Sequence, residues 1–138
     1  MKYTNEELCA LALEAMQRAY SPYSGCKVGA ALLARSGKVY LGCNIENASY
    51  SPTICAERTA FAKAVSEGER EFDVIAVAGS ATDKVDGFFP PCGVCRQVMA
   101  EFCDLDTFKV LLVKNENEHK ELLLRELLPY SFGSENMK

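Results

Sequence analysis

Apolar residues near the start of the chain recur at helical intervals. A period of three to four residues places them on one face of a helix. The positions are Leu8, Leu11, Ala12, Ala15, Met16 and Ala19. Thr4 and Glu7 have the spacing of a capping box, in which each side chain bonds the backbone amide of the other. The pattern predicts a first helix over about residues 5–19, closed by the SPYSG turn.

Shorter apolar runs predict the strands. They lie at residues 28–34, 39–43, 74–78 and 108–113. The first two runs flank Ser36 and Gly37, and such a pair around a glycine-containing turn is typical of a β-hairpin. Residues 122–128 allow two interpretations, a strand entering a short helix or one helix stopped by Pro129.

Two further segments predict helices. Residues 56–66 are rich in alanine and are followed by Gly68, which favours the conformation that ends a helix. Residues 94–102 show helical spacing again, after a loop over residues 79–91 with two consecutive prolines. The order of elements predicts one α/β domain over residues 1–138, a three-layer α/β/α sandwich with a mixed sheet of roughly five strands.

Composition and charge exclude several classes of protein. The chain is 49% apolar and 25% charged, and it has no run of about 20 apolar residues that could span a bilayer. A net charge of −4 argues against nucleic acid as a partner, because such proteins concentrate lysine and arginine on one face. No secretory signal is recognisable, so we expect a cytoplasmic protein whose seven cysteines stay reduced and serve metal binding or catalysis.

The segment PCGVC places two thiols at the start of a predicted helix. Cys92 and Cys95 are three residues apart on one helix face. Free amides and the helix dipole stabilise the thiolate form there, and zinc binds thiolates. Redox dithiols and structural zinc sites share this motif. A redox pair would follow the first strand of a thioredoxin-like unit, however, and a structural site would need a fourth ligand.

A third thiol, Cys55, precedes Glu57 at the start of the other helix. Cys or His, any residue and Glu, followed later by Pro-Cys-x-x-Cys, is the pattern of the zinc deaminases. Taken alone, Cys55 is typical of a buried apolar residue and Glu57 of a helix-start acid; only the combination favours catalysis. We expect Cys55, Cys92 and Cys95 to hold one Zn²⁺ with an open position, and Glu57 to carry protons.

Two features of this motif carry structural requirements. Three thiolates and one zinc ion sum to a charge of −1, and we expect Arg58 to offset it by donating hydrogen bonds to a thiolate. Residues two apart in a regular helix point to nearly opposite sides. Cys55 must therefore lie at the entry of its helix if Glu57 is to face the same metal.

Motifs outside the metal residues extend the pattern. CAERTA at residues 55–60, PCGVCRQ at 91–97 and GCNIENASY at 42–50 together resemble the small cytidine deaminases. The likeness continues through YSPYS, VGAALL and ELLP and covers most of the chain. The resemblance implies a zinc-dependent hydrolysis of cytidine and deoxycytidine to uridine and deoxyuridine, in pyrimidine salvage, by a homotetramer.

The same resemblance implies substrate-binding residues. Asn44 and Glu46 correspond to the pair that holds the ribose hydroxyl, and Ala56 is also assigned to the substrate. Glu46 would repel a phosphate, which favours a nucleoside over a nucleotide. The phenylalanine that packs on the pyrimidine in this family is replaced by Cys26. Phe132, in a tail that resembles the segment reaching into a neighbour's site, is a candidate replacement or an ordinary packing residue.

We assign no chemical role to the single histidine or to three of the other cysteines. His119 lies in the charged run 116–121 and is expected to be a solvated surface group. Cys9, Cys43 and Cys103 occupy apolar patterns or strand ends, where a buried thiol is the default.

Three other functions stay open. A deaminase of the same fold could act on another small aminopyrimidine such as blasticidin S, although Asn44 and Glu46 favour ribose. A polynucleotide deaminase uses the same chemistry, but the acidic charge argues against it. A non-enzymatic zinc or redox module would not need Glu57.

Overall fold

The helices and strands follow the predicted order in the computed structural model, which describes residues 3–138. They are α1 (Asn5–Met16), β1 (Lys27–Ala34), β2 (Val39–Cys43), α2 (Ala56–Ser66), β3 (Phe72–Ser80), α3 (Gly93–Phe102), β4 (Lys109–Asn115), β5 (Glu118–Leu123) and α4 (Leu124–Leu127), followed by a 3₁₀ turn at Ser134–Met137. Within these described residues, no helix combines the length and the apolar character needed to cross a membrane.

The strands form a mixed sheet in the order β2-β1-β3-β4-β5. Strand β1 pairs antiparallel with β2 and β3, β3 pairs parallel with β4, and β5 returns antiparallel beside β4. A parallel pair needs a long crossover connection, which the segment containing α3 supplies. The predicted α/β/α architecture with a mixed five-stranded sheet is confirmed.

The sheet separates two apolar cores. Helix α1 covers one face, where Leu8 and Met16 pack near Ala31 of β1. Helices α2 and α3 cover the other face, and their Phe61 and Met99 belong to the second core. Because successive strand residues point to opposite faces, strands covered on both faces are apolar at nearly every position. This explains the continuous apolar runs that predicted them.

Two glycines permit the helices to approach the sheet closely. A Cβ atom at Gly29 of β1 would lie 2.1 Å from the carbonyl oxygen of Ala12 in α1. A Cβ atom at Gly42 of β2 would lie 2.2 Å from the carbonyl oxygen of Ala56 in α2. No side chain fits at such distances. The start of α2 therefore lies directly against the end of β2.

Helix α1 ends at Met16 rather than at the predicted Ala19. The amides of Arg18 and Ala19 donate to carbonyls three residues earlier, which tightens the chain into turns. The amide of Tyr20 then donates to the carbonyl of Asn44 at 2.9 Å. This pairing with the segment after β2 draws the chain off the helical path, and apolar periodicity carries no signal for it.

The ambiguous tail is a strand that enters a short helix, the first of the two interpretations. Strand β5 begins at Glu118, earlier than the apolar residues suggested. His119 therefore lies in an edge strand and is half-buried rather than fully solvated, which corrects the prediction. The charged run hid this strand because one face of an edge strand can meet solvent.

Candidate active site

The three candidate metal ligands meet where two helices begin. Cys55 is the N-cap residue of α2 and Cys92 is the N-cap residue of α3, both with extended backbone. Cys95 lies in the first turn of α3. All three sulfur atoms lie within 4.8 Å of one another. Since an N-cap residue stands outside the helical spiral, Cys55 has the position that the motif requires.

The sulfur separations fit a tetrahedral zinc ion. The distance is 3.8 Å between Cys55 and Cys92 and 3.5 Å between Cys92 and Cys95. Zinc–sulfur bonds at tetrahedral angles place sulfur atoms about 3.8 Å apart. Neither a histidine nor a carboxylate completes the cluster among residues 3–138. Three protein ligands with one open position are typical of a catalytic site.

Positive charge lies beside the thiols. The Nη2 atom of Arg58 is 3.5 Å from the sulfur of Cys55. Hydrogen bonding from Cys95, together with that from Arg58, lowers the pKa of Cys55 to about 5. The pKa of Cys95 is raised instead, because Cys95 keeps the proton that it shares with Cys55. The cluster therefore holds a thiolate at neutral pH, the form that binds zinc.

Glu57 is a buried carboxyl group beside these sulfurs. It is the second residue of α2 and is only 3% exposed. Burial is the main cause that raises the pKa of Glu57 to about 7, and the Cys55 thiolate acts in the same direction. Glu57 lines a cavity of 230 Å³ together with Cys55 and Cys92. A carboxyl group in this setting is suited to accept and donate protons.

Hydrogen bonds hold the starts of both helices. The hydroxyl of Thr59 donates to the carbonyl of Cys43 at 3.0 Å, which ties α2 to the end of β2. Arg96 donates to the carbonyl of Pro91 at 2.8 Å and to that of Leu127 at 2.7 Å. The loop before α3 is thereby held against α4. These anchors position the sulfurs through the backbone.

Asn44 lines the same cavity and braces the start of β1. It is 8% exposed. Its Oδ1 atom accepts from the amide of Val28 at 2.9 Å, and its Nδ2 atom donates to the carbonyl of Cys26 at 2.8 Å. A side-chain amide has two N–H donors and two lone pairs. One donor and one lone pair are left for a substrate hydroxyl.

Glu46 is oriented by the Tyr23–Ser24 segment. Its Oε1 atom accepts from the amides of Tyr23 and Ser24 at 3.0 and 3.1 Å, and the Ser24 hydroxyl donates to Oε2. These bonds, that of the Ser24 hydroxyl foremost, hold the pKa of Glu46 below its usual value. Glu46 lines both the 230 Å³ cavity and a neighbouring one of 320 Å³ that Tyr50 also lines. The carboxylate therefore lies at the boundary between the two.

Three other predicted residues lie outside this cavity. Ala56 is completely buried, backbone included, and belongs to the core. Phe132 is 58% exposed, and its carbonyl accepts a hydrogen bond from Gln97 at 2.8 Å. Cys26 is half-buried, and its described contacts run through its backbone. Neither Phe132 nor Cys26 lines the cavity of its own chain.

The remaining cysteines were only partly predicted. Cys9 is buried, as expected. Cys43 and Cys103 are half-buried, because Cys43 ends β2 and Cys103 caps the C-terminal end of α3. Both positions mark the rim of the apolar core rather than its centre.

Phe89 lines the cavity, and sequence reasoning missed it. It belongs to the loop before α3, and Pro90 and Pro91 connect it directly to Cys92. Because proline fixes one backbone angle, two consecutive prolines restrict where the residue before them lies relative to the metal ligand. The short, proline-restricted spacing between Phe89 and Cys92 was the sequence feature that could have predicted this position.

Comparisons with known proteins agree with this geometry. Residues 2–111, which include the three cysteines and Glu57, match the family described as the cytidine and deoxycytidylate deaminase zinc-binding region. A protein named cytidine deaminase from Sporosarcina psychrophila is 48% identical over 132 residues, covering 96% of this chain and 93% of the relative. Another, from Halalkalibacterium halodurans, is 52% identical over 126 residues, covering 91% and 92%.

Solved structures give the same result. The crystal structure of cytidine deaminase from Burkholderia pseudomallei superposes with a TM-score of 0.85 at 44% identity, covering 94% of this chain and 100% of that one. Cytidine deaminase from Mycobacterium tuberculosis superposes with a TM-score of 0.73 at 35% identity, covering 91% and 94%.

Proposed function

The chain belongs to the cytidine and deoxycytidylate deaminase family, and we propose how its own residues carry out the reaction. The enzyme is zinc-dependent and hydrolyses cytidine or deoxycytidine to the uridine nucleoside and ammonia. Cys55, Cys92 and Cys95 hold the metal, and Glu57 transfers the protons. One observation carries these assignments: a buried carboxyl group shares a cavity with sulfurs that are spaced for zinc.

The proton transfers pass through Glu57. Zinc, when bound, supplies a Lewis acid that makes water reactive near neutral pH. Glu57 takes a proton from the water that attacks C4 of the pyrimidine and delivers it to ring N3. The proton of the new hydroxyl group then passes through Glu57 to the amino group, which leaves as ammonia while C4 becomes a carbonyl. Glu57 returns to its starting state and so acts as both base and acid.

Arg58 offsets the excess negative charge of a three-thiolate site. Its contact with Cys55 draws electron density from the sulfur, which leaves the metal a stronger Lewis acid. Hydrogen-bond partners of metal ligands tune the metal in this way.

Asn44 and Glu46 hold the ribose. Both line the cavity at the side of the sheet, and each keeps a hydrogen-bonding capacity after its contacts within the protein. The lowered pKa of Glu46 keeps its carboxylate ionised, so it attracts hydroxyl groups and repels phosphate. A nucleoside therefore fits better than a nucleotide. We also assign Ala56, the first residue of α2, to the substrate.

The enzyme is proposed to assemble as a homotetramer in which Phe132 contacts a neighbouring subunit's substrate. Support comes from an apolar groove of 380 Å³ between α2 and α3, lined by side chains that include Phe61, Val65 and Phe102. The 58% exposure of Phe132 is consistent with a contact across subunits. Sedimentation analysis of the purified protein tests this assembly.

A cytoplasmic enzyme of pyrimidine salvage is the proposed cellular role. All seven cysteines are unpaired in the structure, and reducing compartments keep thiols in this state. The product is a uridine nucleoside, which salvage reactions consume.

The decisive experiment measures zinc content and cytidine turnover for the wild type and Glu57→Gln. We expect about one zinc per chain in both proteins, with turnover reduced at least about 100-fold in the variant. Glu67→Gln, at the exposed C-terminal end of the same helix, is the matched control and should retain both properties. Full turnover by Glu57→Gln would overturn the role of Glu57.

A further inference from the structure

The active-site cavity has a single aromatic wall among its described lining residues, the ring of Phe89. The other lining residues are polar, aliphatic or thiol-bearing. Aromatic rings pair with other flat rings in offset or edge-to-face arrangements, beyond the benefit of apolar burial alone. A planar pyrimidine beside Glu57 thus has one flat apolar surface available to it in this chain.

The position of Phe89 is held from three directions. Its side chain packs against the apolar core beneath α2 and α3. Pro90 and Pro91 join it to Cys92, and the carbonyl of Pro91 accepts a hydrogen bond from Arg96 at 2.8 Å. Phe89 is thereby fixed relative to the metal ligand, although it belongs to a loop.

Gly79 of β3 lies directly against the Phe89 ring. A Cβ atom at Gly79 would lie 2.7, 2.9 and 3.0 Å from three atoms of that ring. Any larger residue would force the ring to move. Gly79 pairs with Val28 of β1, and the amide of Val28 donates to Asn44. One pair of neighbouring strand residues therefore contacts both the Phe89 ring and the proposed ribose ligand Asn44.

We propose that Phe89 is a substrate-positioning residue whose ring packs on the pyrimidine, and that Gly79 is the position that admits this ring. The inference rests on the proposed function, since it assumes that the base of a nucleoside occupies the cavity. Gly79 acts only through Phe89. Selection for a flat, aromatic base follows from this wall.

The first test compares two inhibitors in Phe89→Leu. Uridine has a planar, conjugated base, whereas 5,6-dihydrouridine is saturated at C5 and C6, so its ring is puckered and has no continuous π face. Loss of the aromatic pairing should raise the inhibition constant of uridine about two- to tenfold and change that of dihydrouridine by less than about twofold. A general disturbance of the cavity would weaken both equally, and that result would overturn the proposal.

Kinetics supply a second readout from the same variant. Because the ring contacts the base in both ground state and transition state, the KM for cytidine should rise while kcat changes little. Phe88→Leu is the matched control, because the Phe88 ring instead lies under Lys120, with Nζ 5.4 Å from its centroid. Phe88→Leu should leave both constants unchanged, and zinc content should be unchanged in both variants.

A double-mutant cycle isolates Gly79. Gly79→Ala should raise the KM in the wild-type background but add little in the Phe89→Leu background, where the smaller side chain can yield. Additive effects would show that Gly79 does not act through Phe89. If wild-type protein with bound zinc fails to deaminate cytidine, the proposed function fails. If the wild type is active but Phe89→Leu has the same inhibition constants for both inhibitors and the same KM for cytidine, only the inference about Phe89 fails.

Discussion

Arg58 lies one helical turn from Cys55, and its Nη2 atom is 3.5 Å from the Cys55 sulfur. The contact places a fixed positive charge against a proposed site in which three thiolates would exceed the charge of one zinc ion. Two helix starts aimed at the sulfurs act in the same sense, because the N-terminal end of a helix is positive. The residue that follows Glu57 is thus placed to act on the proposed metal site through one of its ligands.

Replacing Arg58 with glutamine should reduce cytidine turnover about 10- to 100-fold, while zinc content stays near that of wild type. The thiolates remain, but the metal becomes a weaker Lewis acid. Arg18→Gln, which removes an exposed arginine from a surface ion pair, serves as the control. Unchanged turnover in Arg58→Gln would remove Arg58 from the mechanism.

Replacing Cys92 with serine should abolish stoichiometric zinc binding, because a hydroxyl group at this position does not ionise as a thiol does. Cys43→Ser is the matched control. The Cys43 sulfur lies 3.4 Å from the carbonyl oxygen of Arg18, and a serine hydroxyl can keep that bond. Elemental analysis of both variants tests the assignment; stoichiometric zinc in Cys92→Ser would refute it.

The two close-approach glycines allow a paired stability test. Gly29→Ala and Gly42→Ala should each lower the free energy of unfolding by about 1–3 kcal/mol, because each added methyl group meets helix backbone. Only Gly42→Ala displaces α2, which carries Cys55, so only this variant should lose zinc faster to a chelator. Equal rates of zinc loss in the two variants would show that Gly42 does not position Cys55.

Acid titration should distinguish Ser24→Ala from the wild type. Glu46 has a lower pKa in the folded protein than its ordinary value, chiefly because of the Ser24 hydroxyl. Its contribution to stability is therefore complete above the ordinary value and is lost as the pH falls through the folded value. Without the hydroxyl the folded pKa moves up towards the ordinary value, so acidification costs the variant less stability and the loss is complete at a higher pH.

Urea unfolding between about pH 6 and about pH 2 measures this difference. Ser51→Ala, at another exposed serine of the same region, should follow the wild type. If the Ser24→Ala and wild-type curves are parallel across the acid range, the hydroxyl does not control Glu46.

Among a panel of substrates, cytidine and deoxycytidine should be deaminated with the highest kcat/KM. Cytidine 5′-monophosphate should react at least about 100-fold less efficiently, because Glu46 repels its phosphate. Glu46→Gln should reduce the difference in kcat/KM between cytidine and its monophosphate, although it also weakens nucleoside binding. Blasticidin S and cytosine complete the panel, and activity on blasticidin S alone would contradict the assignment.

Local sequence signals predicted the parts of the site that lie next to helix starts. Helix α2 and strand β2 have the predicted boundaries, because their apolar patterns and the residues that end them lie close together in the sequence. The prediction that Cys55 stands before its helix followed from the spacing of Cys55 and Glu57 alone, and the N-cap position agrees with it.

Contacts between elements account for most of what the sequence did not predict. Helix α1 ends early because Tyr20 pairs with Asn44. Strand β5 starts early because a tight turn brings Glu118 beside Asn115 of β4, and the charged residues there hide the hairpin. The role of Phe89 depends on Gly79, a residue ten positions earlier on a different element. Periodicity reports which face of an element is buried, but not which element covers it.

Cys55 and Cys92 are 37 residues apart in the chain, and the segment between them includes all of α2 and β3. Zinc that binds both thiols is therefore a removable cross-link that closes a long loop, and closing such a loop restricts the unfolded chain. The apoprotein should unfold and be cleaved by proteases more readily. Metal supply would then set the lifetime of the enzyme in the cell as well as its rate.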